Sequence, residues 1–245
     1  MSDTTSPITA ACLVIGDEIL SGRTREGNAA FLAGELQALG IDLREIRVVP
    51  DEIEIISAAL KTLSKSVTYV FTSGGIGPTH DDITADAVAH AFDLELDVDP
   101  RAVEIMAPYY AAKNLEFTDA RKRMARMPAS AELIENPISR APGFKVENVH
   151  VLAGVPNIFR AMLEHVLPTL QTGVPVSSRA IPSSRPEGEI GSALGELQKQ
   201  HTEVSIGSYP RFKETGGFSV EIVLRSRSEE ALDLAEQAVR KLVNS

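Results

Sequence analysis

Hydrophobic and polar positions along the chain follow two alternating periods. Residues 7–15 form an unbroken apolar-rich run that stops at Gly16, which reads as a strand buried on both faces. Across 27–39 the apolar residues Phe31, Leu32, Leu36 and Leu39 recur at helical spacing, and the run stops at Gly40. The same alternation predicts strands over 42–49, 67–72 and 149–152. It predicts helices over 51–63, from Asp81 or Asp82 through Phe92, over 101–113, as a basic helix over 118–127, and over 156–170. Strands alternating with helices imply an α/β fold, a mostly parallel sheet covered on both faces. A break falls at Gln171-Thr172-Gly173-Val174-Pro175. Beyond it, 176–181, 188–200, 203–209, 218–224 and 228–243 read as strand, helix, strand, strand, helix, a small α+β unit. Two domains are expected, 1–172 and 173–245.

Composition narrows the class. The single cysteine, Cys12, excludes an internal disulfide framework and any zinc site built from several cysteines. Its apolar setting reads as an inert buried thiol in a reducing, cytoplasmic protein. The apolar run near the start is too short to cross a bilayer, so no membrane association is expected. Formal charge is −10 in 245 residues. That balance is the reverse of what binding to a phosphodiester backbone through a basic field requires, so no nucleic-acid partner is expected. An acidic excess near a glycine-rich loop suits a divalent cation bridging to phosphate, and it equally suits plain solubility.

The strongest chemical signal is Thr72-Ser73-Gly74-Gly75-Ile76-Gly77-Pro78-Thr79-His80-Asp81-Asp82-Ile83-Thr84. It begins where a buried strand ends and finishes where a helix begins, the position at which open α/β sheets gather ligands. Three glycines let backbone N–H groups close around an anion, and the helix start favours phosphate. Asp81 and Asp82 would oppose a bare phosphate unless a cation lay between. The plainer alternative is a Gly-Pro turn with an aspartate helix cap. The segment lacks the lysine of a Walker A loop and the spacing of a dinucleotide fingerprint. A second cluster, Gly16-Asp17-Glu18-Ile19-Leu20-Ser21-Gly22, follows the first strand; its adjacent carboxylates either reach the same crevice as the glycine-rich loop or simply form a solvated turn. Asn28 and Asp51 are placed either to cap the helices that follow or to meet a ligand. Asn136-Pro137, Ala141-Pro142-Gly143-Phe144 and Gly154-Val155-Pro156 add further turns. The basic stretch Arg121-Lys122-Arg123-Met124-Ala125-Arg126 reads as a solvated helix face, the alternative being a role in steering an anionic substrate or meeting a neighbouring subunit.

In this order, these segments resemble the molybdopterin-binding (MoaB/Mog-type) domain, in the version at the N-terminus of competence/damage-inducible protein A, CinA. The resemblance covers about 7–170, and Gly-Gly-Ile-Gly-Pro-Thr-X-Asp-Asp-Ile-Thr is its most specific part. The segment Thr24-Arg25-Glu26-Gly27-Asn28 keeps Asn28 but departs from the family's Asp-Thr-Asn run. The resemblance implies a three-layer α/β/α fold, self-association into a homo-oligomer, and a site for a small phosphorylated nucleotide or pterin. It also implies a divalent metal (Mg, Mn or Co), with molybdopterin among the ligands. By the same resemblance Asp82 and Asp51 are the catalytic residues, and Asp17, Asp81 and Asp82 the metal ligands. Gly16, Asp17, Glu18, Ser21, Gly22, Asn28, Ser73, Gly74, Gly75, Gly77, Pro78, Thr79, Thr84, Asn136, Pro142, Gly143, Gly154 and Pro156 are the implied ligand-binding set. Two activities follow: pyrophosphatase action on a nucleotide diphosphate such as ADP-ribose or FAD, or binding and adenylylation linked to molybdenum cofactor synthesis.

CinA proteins commonly continue into a nicotinamide-mononucleotide amidohydrolase domain. With the chain ending at Ser245, that amidase activity is not expected. The small second unit resembles the KH-like domain that follows in the family, and Gly188-Glu189-Ile190-Gly191 matches the GXXG of RNA-binding KH loops. Glu187 and Glu189 stand where a phosphate clamp wants cations, so packing and oligomerisation are the expected roles.

Overall fold

The computed structural model describes residues 7–212 and 218–244. Two compact units divide at Gly173/Val174.

In the first unit the elements run β1 (Thr9–Ile15), α1 (Asp17–Leu20), α2 (Asn28–Ala38), β2 (Asp42–Val49), α3 (Ile53–Ser66), β3 (Tyr69–Ser73), α4 (Thr84–Phe92), β4 (Leu96–Val98) and α5 (Pro100–Ala112). There follow α6 (Asp119–Lys122), β5 (Arg126–Pro128), β6 (Glu132–Ile134), β7 (Gly143–Val146), β8 (Val149–Leu152) and α7 (Pro156–Val166). Six strands form one sheet in the order β2-β1-β3-β8-β7-β6. The pairs β1–β2, β1–β3 and β3–β8 are parallel, while β7 runs antiparallel to both β8 and β6.

Side chains of β1 point alternately to two cores, as a strand must. Ala11, Leu13 and Ile15 join Ile56, Leu60 and Leu63 of α3 and Ala87 and Val88 of α4. Ala10, Cys12 and Val14 join Leu32 and Leu36 of α2 and Phe159, Met162 and Leu163 of α7. The sheet therefore lies between two helical layers, the three-layer α/β/α arrangement. Burial pushes the Cys12 thiol up to about 12, with the Glu26 charge adding, so it is inert at neutral pH.

Departures from the sequence reading fall on short elements. Residues 17–20 form a helical turn where a plain turn was expected. The basic helix expected over 118–127 is a single turn, α6, then a 3-10 turn at Arg123–Ala125 and strand β5. Pairing of Arg126–Pro128 with Leu96–Val98 takes Arg126 and Met127 from the helix their propensity favours. Strands β4, β6 and β7, three or four residues each, carry too little periodicity to be read from sequence.

The second unit runs β9 (Ser177–Ser183), α8 (Glu187–Gln200), β10 (Ser205–Phe212), β11 (Phe218–Ser226) and α9 (Glu229–Val243). The expected βαββα order holds, with an antiparallel sheet ordered β10-β11-β9. Ile181, Val220, Ile222 and Leu224 pack against Ile190 and Leu194 of α8 and Leu232, Ala235 and Val239 of α9. Arg179 gathers Glu229, Asp233 and Glu236 from one face of α9. Gly188–Gly191 lies inside the first turns of α8, so the GXXG match is helical rather than a loop.

Candidate functional site at the carboxyl edge of the sheet

Strand β1 feeds α2 on one face of the sheet, and its neighbour β3 feeds α4 on the other. Adjacent strands whose connections diverge in this way open a crevice at their carboxyl ends. The Gly16 and Gly74 segments both start there. Gly16 N–H donates to the Val49 carbonyl at 3.2 Å, and Gly74 N–H to the Leu152 carbonyl at 3.2 Å, so four parallel strand ends are tied together. Since β7 is antiparallel to β8, Gly143 also begins at this edge, and the 135–142 connection ends on it.

The loop after β3 is built for close backbone approach. Gly74 has φ +112°, and a Cβ there would collide with the Ile15 carbonyl. Gly75 has φ +69°, and its Cβ would strike the Thr84 hydroxyl. Thr84 is buried and closes the loop twice: its hydroxyl donates to the Gly74 carbonyl (2.9 Å) and its N–H to the Gly75 carbonyl (2.9 Å). Among the described residues, the N–H groups of Gly75, Ile76 and Gly77 have no hydrogen-bond acceptor. A Cβ on Gly154 would come within 3.1 Å of Gly74 Cα, which brings the loop after β8 against the first.

The carboxylates do not act as helix caps. Helix α4 begins at Thr84 with Ile83 as an N-cap that makes no side-chain bond, so neither Asp81 nor Asp82 caps it. Asp82 Oδ2 instead accepts from Thr79 N–H (2.8 Å) and the Thr79 hydroxyl (2.6 Å), which holds the loop tip. Helix α3 likewise has Glu52 at its N-cap, and Asp51 accepts from Asp17 N–H at 2.9 Å. Burial raises the Asp51 carboxyl above its ordinary value, the Asp17 N–H opposes this, and the charges of Asp17, Glu18 and Asp81 add to the rise. The expected ligands Asp17, Asp81 and Asp82 form no ready cage. Among the described residues no three Asp, Glu, His or Cys side chains stand together as an ion would need.

The remaining expected residues divide by what they touch. Asn28 opens α2 behind the N-cap Gly27, and its side chain is buried between Ser73 and Gly154. Asn136 is also buried, and its amide is committed to its own turn: Nδ2 donates to Ser139 Oγ and the Ala141 carbonyl, and Oδ1 accepts from the N–H groups of Ile138 and Ser139. Pro142 and Gly143 are buried at the sheet edge. Asp17, Glu18, Ser21, Gly22, Pro78, Thr79, His80, Gly154 and Pro156 are exposed around the crevice.

The basic stretch is not a solvated face. Arg126 pairs with Asp86 at 2.7 Å, Lys122 with Asp119 at 2.9 Å, and Arg121 lies over the Tyr110 ring and binds the Glu116 carbonyl. Arg123 reaches the glycine-rich loop: Nε donates to the Thr79 carbonyl (3.2 Å) and Nη2 to the Asp82 carbonyl (3.3 Å). The sequence marks Arg123 as one of four cations within 121–126 of a strongly acidic chain, but not its contact with this loop.

Fold and crevice define a three-layer α/β domain with a glycine-rich loop of N–H groups, unbonded among the described residues, at the switch between β1 and β3. Residues 11–172 match the family described as a "probable molybdopterin binding domain", and residues 175–245 match the "FAD synthase, middle domain". The chain belongs to the molybdopterin-binding-domain family. An Aeropyrum pernix protein is 32% identical over 237 residues, covering 93% of this chain and 88% of that relative. A "probable FAD synthase" of Caenorhabditis elegans is 32% identical over 262 residues; the match covers 96% of this chain and 50% of that relative. Among solved structures, the CinA protein of Thermoplasma acidophilum, described as of unknown function, superposes with a TM-score of 0.61 at 33% identity. That match covers 66% of this chain and 98% of the other. No described helix is long and apolar enough to cross a membrane.

Proposed function

We propose that this chain binds a nucleotide diphosphate through the glycine-rich loop and hydrolyses its phosphoanhydride, with ADP-ribose and FAD as the substrate class. The observation that carries the reading is the row of N–H groups at Gly75, Ile76 and Gly77, without acceptors among the described residues, at the carboxyl ends of parallel strands. The FAD synthase middle domain matched over 175–245 favours FAD within that class.

In this reading loop N–H groups hold one phosphate while water attacks the other phosphorus. The new bond is P–O(water), and the bond that breaks is P–O(bridge), whose electrons leave on the departing phosphate. Asp51 takes the water proton: its raised carboxyl pKa makes it a better acceptor than an ordinary surface aspartate. Asp82 shapes the loop through Oδ2, and Oδ1 keeps acceptor capacity for the ligand.

The donor set fits a divalent cation (Mg, Mn or Co) held by one or two carboxylates, water and the ligand's own phosphates rather than by a protein cage. Asp17 and Asp81 would hold it, leaving Asp51 free to take the proton, and it would neutralise charge on the phosphates. The family's homo-oligomeric state is proposed with this reading.

The test is product analysis after incubation with Mg²⁺, Mn²⁺ or Co²⁺ and ADP-ribose, FAD, CoA or molybdopterin, with an EDTA control. Cleavage to two monophosphates by wild type, lost by orders of magnitude in Asp51→Asn, supports the reading. Binding of a nucleotide or pterin without turnover selects the alternative, a binding or adenylylating domain of molybdenum cofactor synthesis. Wild-type rates retained in Asp51→Asn remove that residue from the chemistry.

A further inference from the structure

We infer that Arg123 is the positioning residue of the phosphate loop, fixing the direction in which its N–H groups point and placing a cation against the loop. The inference rests on the loop being the phosphate site. Arg123 is half-buried, and its fork reaches two carbonyls three residues apart, Thr79 at 3.2 Å and Asp82 at 3.3 Å. In a trans peptide the C=O and N–H groups point in opposite directions. Holding these two carbonyls therefore turns the N–H groups of His80 and Ile83 away from the guanidinium. Neither N–H has an acceptor among the described residues.

Charge points the same way. Lys122 and Arg126 are neutralised by Asp119 and Asp86, whereas Arg123 has no carboxylate partner among the described residues. A cation without a carboxylate partner thus lies against the loop, within a site whose carboxylates are Asp17, Glu18, Asp51, Asp81 and Asp82. Its charge offsets part of the repulsion that these carboxylates exert on an approaching phosphate. The planar fork matters as well as the charge, because lysine replaces the two fixed donor atoms, Nε and Nη2, with a single nitrogen on a flexible stem.

The test combines two readouts on wild type, Arg123→Met and Arg123→Lys, with urea unfolding as the folding control. The first is amide hydrogen exchange of the 75–83 loop in ligand-free protein; the second is calorimetric affinity for ADP-ribose. Arg123→Met should speed exchange at Thr79 and Asp82, whose N–H groups are hydrogen-bonded within the loop, and weaken binding roughly tenfold, and Arg123→Lys should fall between it and wild type. If Arg123→Met does not fold, Arg123→Lys carries the comparison. Wild-type affinity and exchange in the folded variants overturn the inference and leave the phosphate reading intact. A wild-type protein that binds no phosphorylated nucleotide overturns both.

Discussion

Asn28 and Ser73, separated by 45 positions in sequence, share a buried hydrogen bond of 2.8 Å from Asn28 Nδ2 to Ser73 Oγ. The second hydrogen of the same nitrogen goes to the Gly154 carbonyl at 2.7 Å. One side chain thus fastens the start of α2 to the ends of β3 and β8, and sets the width of the crevice. Asn28→Ala would leave the buried Ser73 hydroxyl and the part-buried Gly154 carbonyl without this donor, a cost of about 1–3 kcal/mol. Asn28→Asp should be no better, since an ionised carboxylate donates nothing. Urea unfolding of the three proteins checks this; equal stability would mean that the crevice is held by other contacts.

Gly74→Ala should be far more damaging than its one added methyl suggests. The residue must adopt φ +112° with its Cβ driven into the Ile15 carbonyl, and a loss of at least about 2 kcal/mol is expected. Gly188→Ala is the contrast. That glycine sits inside α8 with open space around a Cβ, so alanine should add up to about 1 kcal/mol. Thermal melts of both variants make the comparison, and a silent Gly74→Ala would contradict the loop geometry.

Stability should fall in mild acid because of His150. The ring is buried against Phe71 at 5.0 Å between centroids, and its Nδ1 has no partner among the described residues. Burial, with the Lys145 charge adding and Glu132 opposing, lowers its pKa from 6.5 to about 4. The unfolded chain therefore takes up this proton first as pH falls. Stability is unaffected above pH 6.5 and declines progressively toward pH 4, by roughly 2–3 kcal/mol for this group. Unfolding free energies at pH 7 and 4.5 should differ less in His150→Gln than in wild type; an unchanged difference would assign the acid sensitivity elsewhere.

RNA should not bind the second unit. Its GXXG residues are wound into α8, with Glu187 and Glu189 in that helix's first turn. A KH-type clamp needs an extended loop and cations. Fluorescence anisotropy with labelled single strands at physiological salt should show no sub-micromolar binding. Steeply salt-dependent binding would contradict this.

The long elements were legible because each carries its own period: β1, β2, β3, α2, α3 and α9 lie within a few residues of the sequence reading. The glycine-rich loop was legible because Gly74, Gly75 and Thr84 stand at a strand-to-helix boundary. The partners of its polar groups were not. Capping by Asp51 and Asp82 is the local option for an aspartate before a helix. Here tertiary contacts win: Asp51 finds an N–H 34 residues away on α1, and Asp82 turns back to Thr79. Arg123 was hidden for the same reason, since its 44-residue reach to Thr79 leaves no mark in local spacing.

The most direct measurement for the central claim is a titration of ¹⁵N-labelled protein with ADP-ribose, following backbone amide chemical shifts. The N–H groups of Gly75, Ile76 and Gly77, which lack acceptors among the described residues, should take phosphate oxygens as acceptors. The account requires their resonances to move most and saturably, with those of 188–191 unmoved. Saturable shifts that leave Gly75–Gly77 in place, or none at millimolar ligand, would contradict it.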